Sequence, residues 1–366
     1  MARYTEPSRK QKMAGTLRSY MNSAQRTFFA GVNDPRVDTA NNTSLIKLFP
    51  KVDPKIDGDG CDHDCESCHV SFPKGFKIDE EDALYGHVKG WATHILVATG
   101  KTDWMRDVAD EKGSVMEAIE HKADVKPSNG KLMLSASNIP TPNHSSDYTE
   151  PTTVLLLPAF IIIENVTSKN VNSLVTEFVD KGPTNSTPLG PVLIPASLPG
   201  VLPTAEQLTS RPSPHRALIL LCSQRTRDVR CGQSAPLLRK EMERHLRPLG
   251  LFRDLDDERP GGVGIYFISH VGGHKYSANM MIYRRANAFG LDDLERANLE
   301  GEAPMPSAYE PNEESQAGAA QCMWIARVGP KDCENIVKFT VLQGKLVQPE
   351  RQLRGGFDRQ QGLFSW

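Results

Sequence analysis

Apolar residues along this chain fall into short unbroken blocks and into spaced, helix-like series. The unbroken blocks predict buried strands at Trp91–Thr99, closed by Gly100, and at Thr152–Asn165, Arg216–Cys222, Val263–Ile268, Tyr276–Tyr283 and Cys322–Val328. Helical spacing is clearest over Gly232–Leu249, where Leu237, Leu238, Met242, Leu246 and Leu249 fall on one face. Weaker helical patterns cover Trp104–His121, Thr167–Val179 and Lys331–Gly344. Strands alternating with helices predict an α/β fold.

The chain has 366 residues, enough for two domains. Residues 1–50 are basic and weakly periodic and are expected to form a largely disordered tail, with a mitochondrial presequence as the alternative. An N-terminal α/β domain is expected over 51–182. Eight prolines between Pro183 and Pro214 read as a linker over 183–214. A second α/β domain follows over 215–345, with an acidic loop at 291–320, and 346–366 reads as a flexible tail. A net charge of −2 gives no reason to expect nucleic-acid binding. The longest apolar run, Val154–Ile163, is too short to span a bilayer and contains Pro158, so no membrane span is expected. Seven cysteines at ligand-like spacings, with no secretory signal ahead of them, point to thiols or metal sites rather than disulfides.

The candidate chemistry lies at strand ends. Cys222 closes one buried strand, and Cys231 follows after a polar loop carrying Arg225, Arg227, Asp228 and Arg230. His270 and His274 flank Val271-Gly272-Gly273, where two glycines allow a tight turn. If the flanking strands form a hairpin, the two imidazoles face each other across it. Two thiols and two imidazoles make a metal site, and zinc suits this ligand set as well as iron does.

The same residues carry a resemblance. Cys222-Ser, Thr226-Arg-Asp228, Arg230-Cys-Gly232, Ala235-Pro236, His270-Val-Gly-Gly-His-Lys275, Ala278-Asn279 and Ile282-Tyr283 resemble the thioredoxin-like ferredoxin (sucrase/ferredoxin-like) family. The resemblance implies a C-terminal thioredoxin-like ferredoxin domain, with a degenerate thioredoxin-like domain before it. It also implies a [2Fe-2S] cluster, with Cys222 and Cys231 on one iron and His270 and His274 on the other. Electron transfer then follows, rather than a classical enzyme activity, possible settings being oxidative-stress defence or actin-patch organisation. Neutral imidazoles in place of two thiolates raise the potential of such a cluster. Arg227, Lys275, Gly272 and Gly273 are expected around the ligands. The terminal Trp366 resembles the signal read by cytosolic iron–sulfur assembly targeting machinery, which places the protein in the cytoplasm with the mitochondrion as alternative. The redox partner is unknown.

Cys61-x-x-x-Cys65-x-x-Cys68 has radical-SAM spacing without the strand-led barrel context. A second metal site involving His63 or His69 is one reading of these thiols, and solvent-facing loop cysteines another. Cys65-Glu-Ser-Cys68 also has the spacing of a thiol–disulfide oxidoreductase, though no helical pattern follows it. Cys322 and Cys333 are expected as unpaired core or surface thiols. A zinc-stabilised interaction protein is the competing non-redox class. No carboxylate pair marks a sugar-cleaving site.

Overall fold

Strand pairing organises the molecule. The computed structural model describes residues 48–197, 207–292 and 317–366. Its strands are β1 (Thr93–Ala98), β2 (Leu132–Ser137), β3 (Thr152–Leu157), β4 (Ile161–Val166), β5 (Thr209–Pro212), β6 (Ala217–Cys222), β7 (Phe252–Arg253), β8 (Val263–Ile268), β9 (Met280–Arg284), β10 (Gln321–Ile325), β11 (Leu353–Asp358) and β12 (Leu363–Phe364). Among the described residues they make one mixed sheet in the order β12-β11-β10-β9-β6-β8-β2-β1-β3-β4-β5, with β7 beside β8.

The order contains a repeat. β1 pairs parallel with β2 and antiparallel with β3, and β3 pairs antiparallel with β4. β6 likewise pairs parallel with β8 and antiparallel with β9, and β9 pairs antiparallel with β10. The halves meet where Ser137 of β2 pairs antiparallel with Ile268 of β8. Each parallel pair is linked by a helical crossover, as parallel strands require. The first crossover holds the short helix Val115–Glu117 and its π-helical continuation Ala118–Lys122, and the second holds the long helix Val229–Leu246.

Each half has a core of its own on one face. Ile95, Val97, Met116 and Phe178 belong to one cluster, and Ile219, Leu221, Leu238 and Met242 to another. The alternate residues of the same strands, Leu96, Leu218 and Leu220, enter a third cluster shared by both halves with Trp91, Tyr283 and Trp324. His94 of β1 lies 3.0 Å from the Tyr283 hydroxyl of β9. Those strands are four steps apart in the sheet, roughly 19 Å if it were flat. The sheet therefore curls around the shared core.

Several expectations change. The two expected domains share this sheet within a single compact unit, Thr43–Trp366. Thr209–Pro212, inside the expected linker, is the edge strand β5 paired with β4. Thr152–Asn165 is two strands, turned back at Pro158-Ala159-Phe160, with Phe160 at φ +56°. The C-terminal segment 346–366 is not a flexible tail: it forms the helix Pro349–Gln352, then β11, paired with β10, and β12. Its strand character rests on backbone contact rather than apolar spacing. A Cβ on Gly356 would lie 2.0 Å from the Cys322 carbonyl oxygen, so only glycine lets the strands approach this closely. Trp366, the last residue of the expected tail, stacks on Trp91 with ring centroids 4.1 Å apart. Residues 1–47, most of the expected basic tail, and 293–316 of the expected acidic loop lie outside the described residues, whereas Leu48 and Phe49 are core residues.

Candidate metal centre

β6 ends at Cys222, whose partner across the parallel ladder is Ile268, the last residue of β8. The chain leaves β6 through Ser223–Arg227 and enters the long helix at Asp228, whose carboxylate caps it by accepting from the Arg230 N–H at 3.0 Å. The helix starts three residues before the expected Gly232, which puts Cys231 in its first turn. The segment 269–279 then leaves β8 and crosses the end of β6 to reach β9. No β8–β9 hairpin forms, because β6 lies between the two strands and pairs with both. This crossover carries His270 and His274 over the two thiols.

The Cys222 and Cys231 sulfurs and a ring nitrogen of His270 all lie within 4.8 Å of one another. Cys222 Sγ is 3.8 Å from His270 Nδ1. The His274 ring is adjacent, its centroid 5.3 Å from that of His270. His274 Nδ1 is buried and hydrogen-bonds to nothing, while its Nε2 lies 3.9 Å from Asp228 Oδ2. A buried imidazole nitrogen without a partner is costly unless something occupies the space before it. Two thiols, one imidazole and this orphaned nitrogen fit a soft or borderline metal group.

The thiols are deeply buried and the imidazoles form the open edge. Cys222 and Cys231 are 1% and 0% exposed, whereas the His274 side chain is 45% exposed. A hydrogen bond from the Cys231 thiol pulls the Cys222 thiol below its usual range. The backbone at Val271 and Gln224 and the Arg354 charge act in the same direction. Cys231 is pushed far upward, first by that same hydrogen bond and then by burial. Cys222 is thus the more easily deprotonated thiol of the pair, and Cys231 holds its proton more tightly. Burial lowers the His274 pKa, with Asp228 opposing the shift.

The loops are held by residues that sequence patterns did not single out. Gln224 Oε1 accepts from the His270 backbone N–H at 2.8 Å, and its amide nitrogen donates to the Met105 carbonyl. Arg354 of β11 donates to the Gly272 carbonyl at 3.0 Å and to Asn279 Oδ1 at 2.6 Å, with its guanidinium 4.3 Å from the Trp324 ring centroid. Gly273 has φ +69°, a backbone that favours glycine, and a Cβ there would lie 2.6 Å from the Arg354 guanidinium and force it to shift; Gly272 has φ +89°. Arg354 sits in the stretch expected to be a tail, and its only sequence signal was the Leu353-Arg-Gly-Gly run. Arg227 donates to the Arg106 carbonyl at 3.3 Å, and its charge helps lower the His274 pKa. Lys275 pairs with Asp82, and with Asp79 at 3.3 Å, rather than with the ligand rings.

Cys61 and Cys65 are buried rather than solvent-facing, and Cys68 is half-buried. Cys322 and Cys333 are buried core thiols, as one of the two expectations for them held. Among the described residues no helix is long and apolar enough to cross a membrane.

The profile of the sucrase/ferredoxin-like family matches residues 84–355. The chain is 33% identical over 253 residues to Actin patches distal protein 1 of Saccharomyces cerevisiae, covering 64% of this chain and 75% of that one. It is 29% identical over 134 residues to Altered inheritance of mitochondria protein 32 of Clavispora lusitaniae, covering 37% of this chain and 33% of that one. A second protein of that name, from Debaryomyces hansenii, is 29% identical over 131 residues. The chain thus spans about a third of the mitochondrial-inheritance relatives it matches. No solved structure matches.

Proposed function

The chain belongs to the sucrase/ferredoxin-like family, and from that premise we propose that it is a one-electron carrier holding a [2Fe-2S] cluster on Cys222, Cys231, His270 and His274. The observation that carries the proposal is the convergence of both thiols and His270 beside the unpartnered Nδ1 of His274. Bound there, the cluster would supply reversible one-electron transfer at a potential above that of an all-cysteine centre, because two ligands are neutral.

The protein's own residues have distinct tasks in this reading. Cys222 and Cys231 give up their protons to the medium on loading, so loading is favoured as pH rises. Asp228 Oδ2, 3.9 Å from His274 Nε2, would orient that imidazole and favour a proton on Nε2 while Nδ1 faced the cluster. Arg354, Gln224 and Asn279 fix the 270–279 crossover, so the ligands do not reorganise between oxidation states. His270 borders an open cleft of about 420 Å³ lined also by Lys89, Trp91, Lys131, Trp324 and Arg354. A redox partner approaching this cleft meets the imidazole edge, not the buried sulfurs. Cytoplasmic function is proposed, with the mitochondrion as alternative, and with delivery by cytosolic iron–sulfur targeting machinery reading Trp366. That reader must engage the residue before it packs on Trp91. A role in actin-patch organisation or oxidative-stress defence is the setting that the name of the yeast relative and the redox chemistry suggest.

One observation favours a second reading. The 3.8 Å between Cys222 Sγ and His270 Nδ1 suits two ligands of a single tetrahedral ion, as in a structural zinc site. Absorption and EPR spectra of anaerobically purified protein separate the two, with a His274→Cys variant alongside. A coloured protein whose reduced EPR signal shifts in the variant is expected. A colourless protein carrying zinc that depends on Cys222 would overturn the cluster reading.

A further inference from the structure

The three cysteines near the start of the described chain are not used by the centre above, and one of them converges with residues distant in sequence. Cys65 Sγ, a nitrogen of His245 and a carboxylate oxygen of Glu334 lie within 4.8 Å of one another. We propose that Cys65, His245 and Glu334 form a second, separate metal site that takes a borderline divalent cation of the zinc class, with a fourth position left open to water. Thiolate, imidazole and carboxylate are all zinc ligands, and three protein ligands plus water is a known arrangement for that ion.

The surroundings prepare each ligand. The Cys65 sulfur accepts from Arg244 Nη2 at 3.4 Å, and the same nitrogen lies 3.0 Å from His245 Nε2, so a half-exposed positive group already touches two of the three ligands and an ion would displace it. Glu241, only 3% exposed, lies with Oε2 3.9 Å from His245 Nε2 and also binds Arg244 at 2.9 Å. Once an ion has displaced the Arg244 guanidinium, Glu241 is left as the buried carboxylate beside the imidazole, the outer partner that orients metal-bound histidines. The loop that carries Cys65 is fixed on the segment that carries Glu334. The Cys65 N–H donates to the Lys331 carbonyl at 3.0 Å, and Asn335 donates to the carbonyls of Gly60 and His63 at 3.0 and 2.9 Å. The site is therefore held in place by backbone contacts before any ion enters. His63 and His69, the histidines local to the cysteine loop, are exposed and take no part in the cluster of ligands.

The two sites sit at opposite ends of one helix. Cys231 lies in the first turn of Val229–Leu246 and His245 in the last, about 21 Å apart along its axis. An ion at the second site would tie the loop before β1 to the helix end and to the segment after β10. It would brace the long helix without touching the first centre.

The test is zinc and iron content of the full-length protein after dialysis in micromolar zinc chloride, with absorption spectra at the zinc K edge. The wild type is expected to retain stoichiometric zinc with one sulfur and otherwise nitrogen and oxygen neighbours. Cys65→Ser and the milder Glu334→Gln should lower zinc to background or weaken it about tenfold or more, with iron unchanged. Cys222→Ser should leave zinc in place. Absence of zinc from the wild type overturns the proposal, as does zinc kept equally by Cys65→Ser and Glu334→Gln, or zinc that follows Cys222→Ser. Missing iron beside Cys65-dependent zinc would sink the cluster reading of the first centre and leave this one standing.

Discussion

β1 and β6 hold equivalent places in the two halves of the sheet, and they end differently. Ala98 is the last residue of β1 and pairs with Ser137 of β2, while Cys222 is the last residue of β6 and pairs with Ile268 of β8. After β1 the chain continues with Thr99, whose hydroxyl donates to the Ser137 carbonyl and accepts from Trp104 Nε1. After β6 it continues into the loop that leads to Cys231. The first half thus closes its strand ends with hydrogen bonds and an indole, and the second half leaves soft ligands there. The same layout makes a buttress in one place and a candidate metal centre in the other. The buttress also supports the centre. Asp103 accepts from the Thr226 N–H at 3.0 Å and from its hydroxyl at 2.8 Å, and the Thr102 carbonyl accepts from Ser223 at 2.9 Å.

The sharpest way to break this comparison is to exchange the two strand ends. Cys222→Ala should abolish metal binding at the first centre, read as loss of colour and of iron. Ala98→Cys should leave the metal content unchanged, because among the described residues no cluster of metal-ligating side chains lies at that strand end. Metal gained through Ala98→Cys would mean that the halves differ less than their side chains indicate.

A smaller effect comes from the histidines that are not ligands. His94 is fully buried between Tyr283 and Ser135, and burial lowers its pKa from 6.5 to about 3. Burial lowers that of His215, bonded to the Tyr266 hydroxyl, to about 4. Both are neutral in the folded protein, while the unfolded chain binds their protons below about pH 6.5. Their contribution to stability is therefore complete above that pH and is lost as pH falls toward 4. At about pH 5 each should cost on the order of 2 kcal/mol. Urea midpoints across that window check this, and His94→Gln should flatten the slope by about half. An unchanged slope would show that His94 does not stay neutral in the folded state.

The smallest effect tests the buttress. Asp103→Ala removes the exposed bonds to Thr226 and should cost about 0.5–1 kcal/mol. It should also loosen the 223–227 loop enough to speed metal loss to a chelator. A normal release rate would show that the first half does not brace the second.

Much of the second half was legible in the sequence, because its signals are local. Unbroken apolar runs marked β6 and β8, helical spacing marked the long helix, and Cys222, Cys231, His270 and His274 stood out at strand edges. Arg354 and Gln224 did not, since each acts through one long-range bond that leaves no periodic trace. β11 escaped for a related reason. Gly355 and Gly356 pair by backbone and fit by lacking side chains, so no apolar pattern marks them. Likewise Cys65 read as a loop thiol or as a ligand beside His63 or His69, because His245 and Glu334, its neighbours in space, lie 180 and 269 positions away in the chain.

The sequence by itself determined the α/β class, the placing of cysteines and histidines near strand ends, and the family, all carried by residues close together along the chain. Only the tertiary structure decided that two similar halves share one curled sheet, that β6 separates β8 from β9, and that the last residues close the core. Those outcomes depend on which backbone edges and cavities meet, and such pairings join residues hundreds of positions apart that no local spacing records.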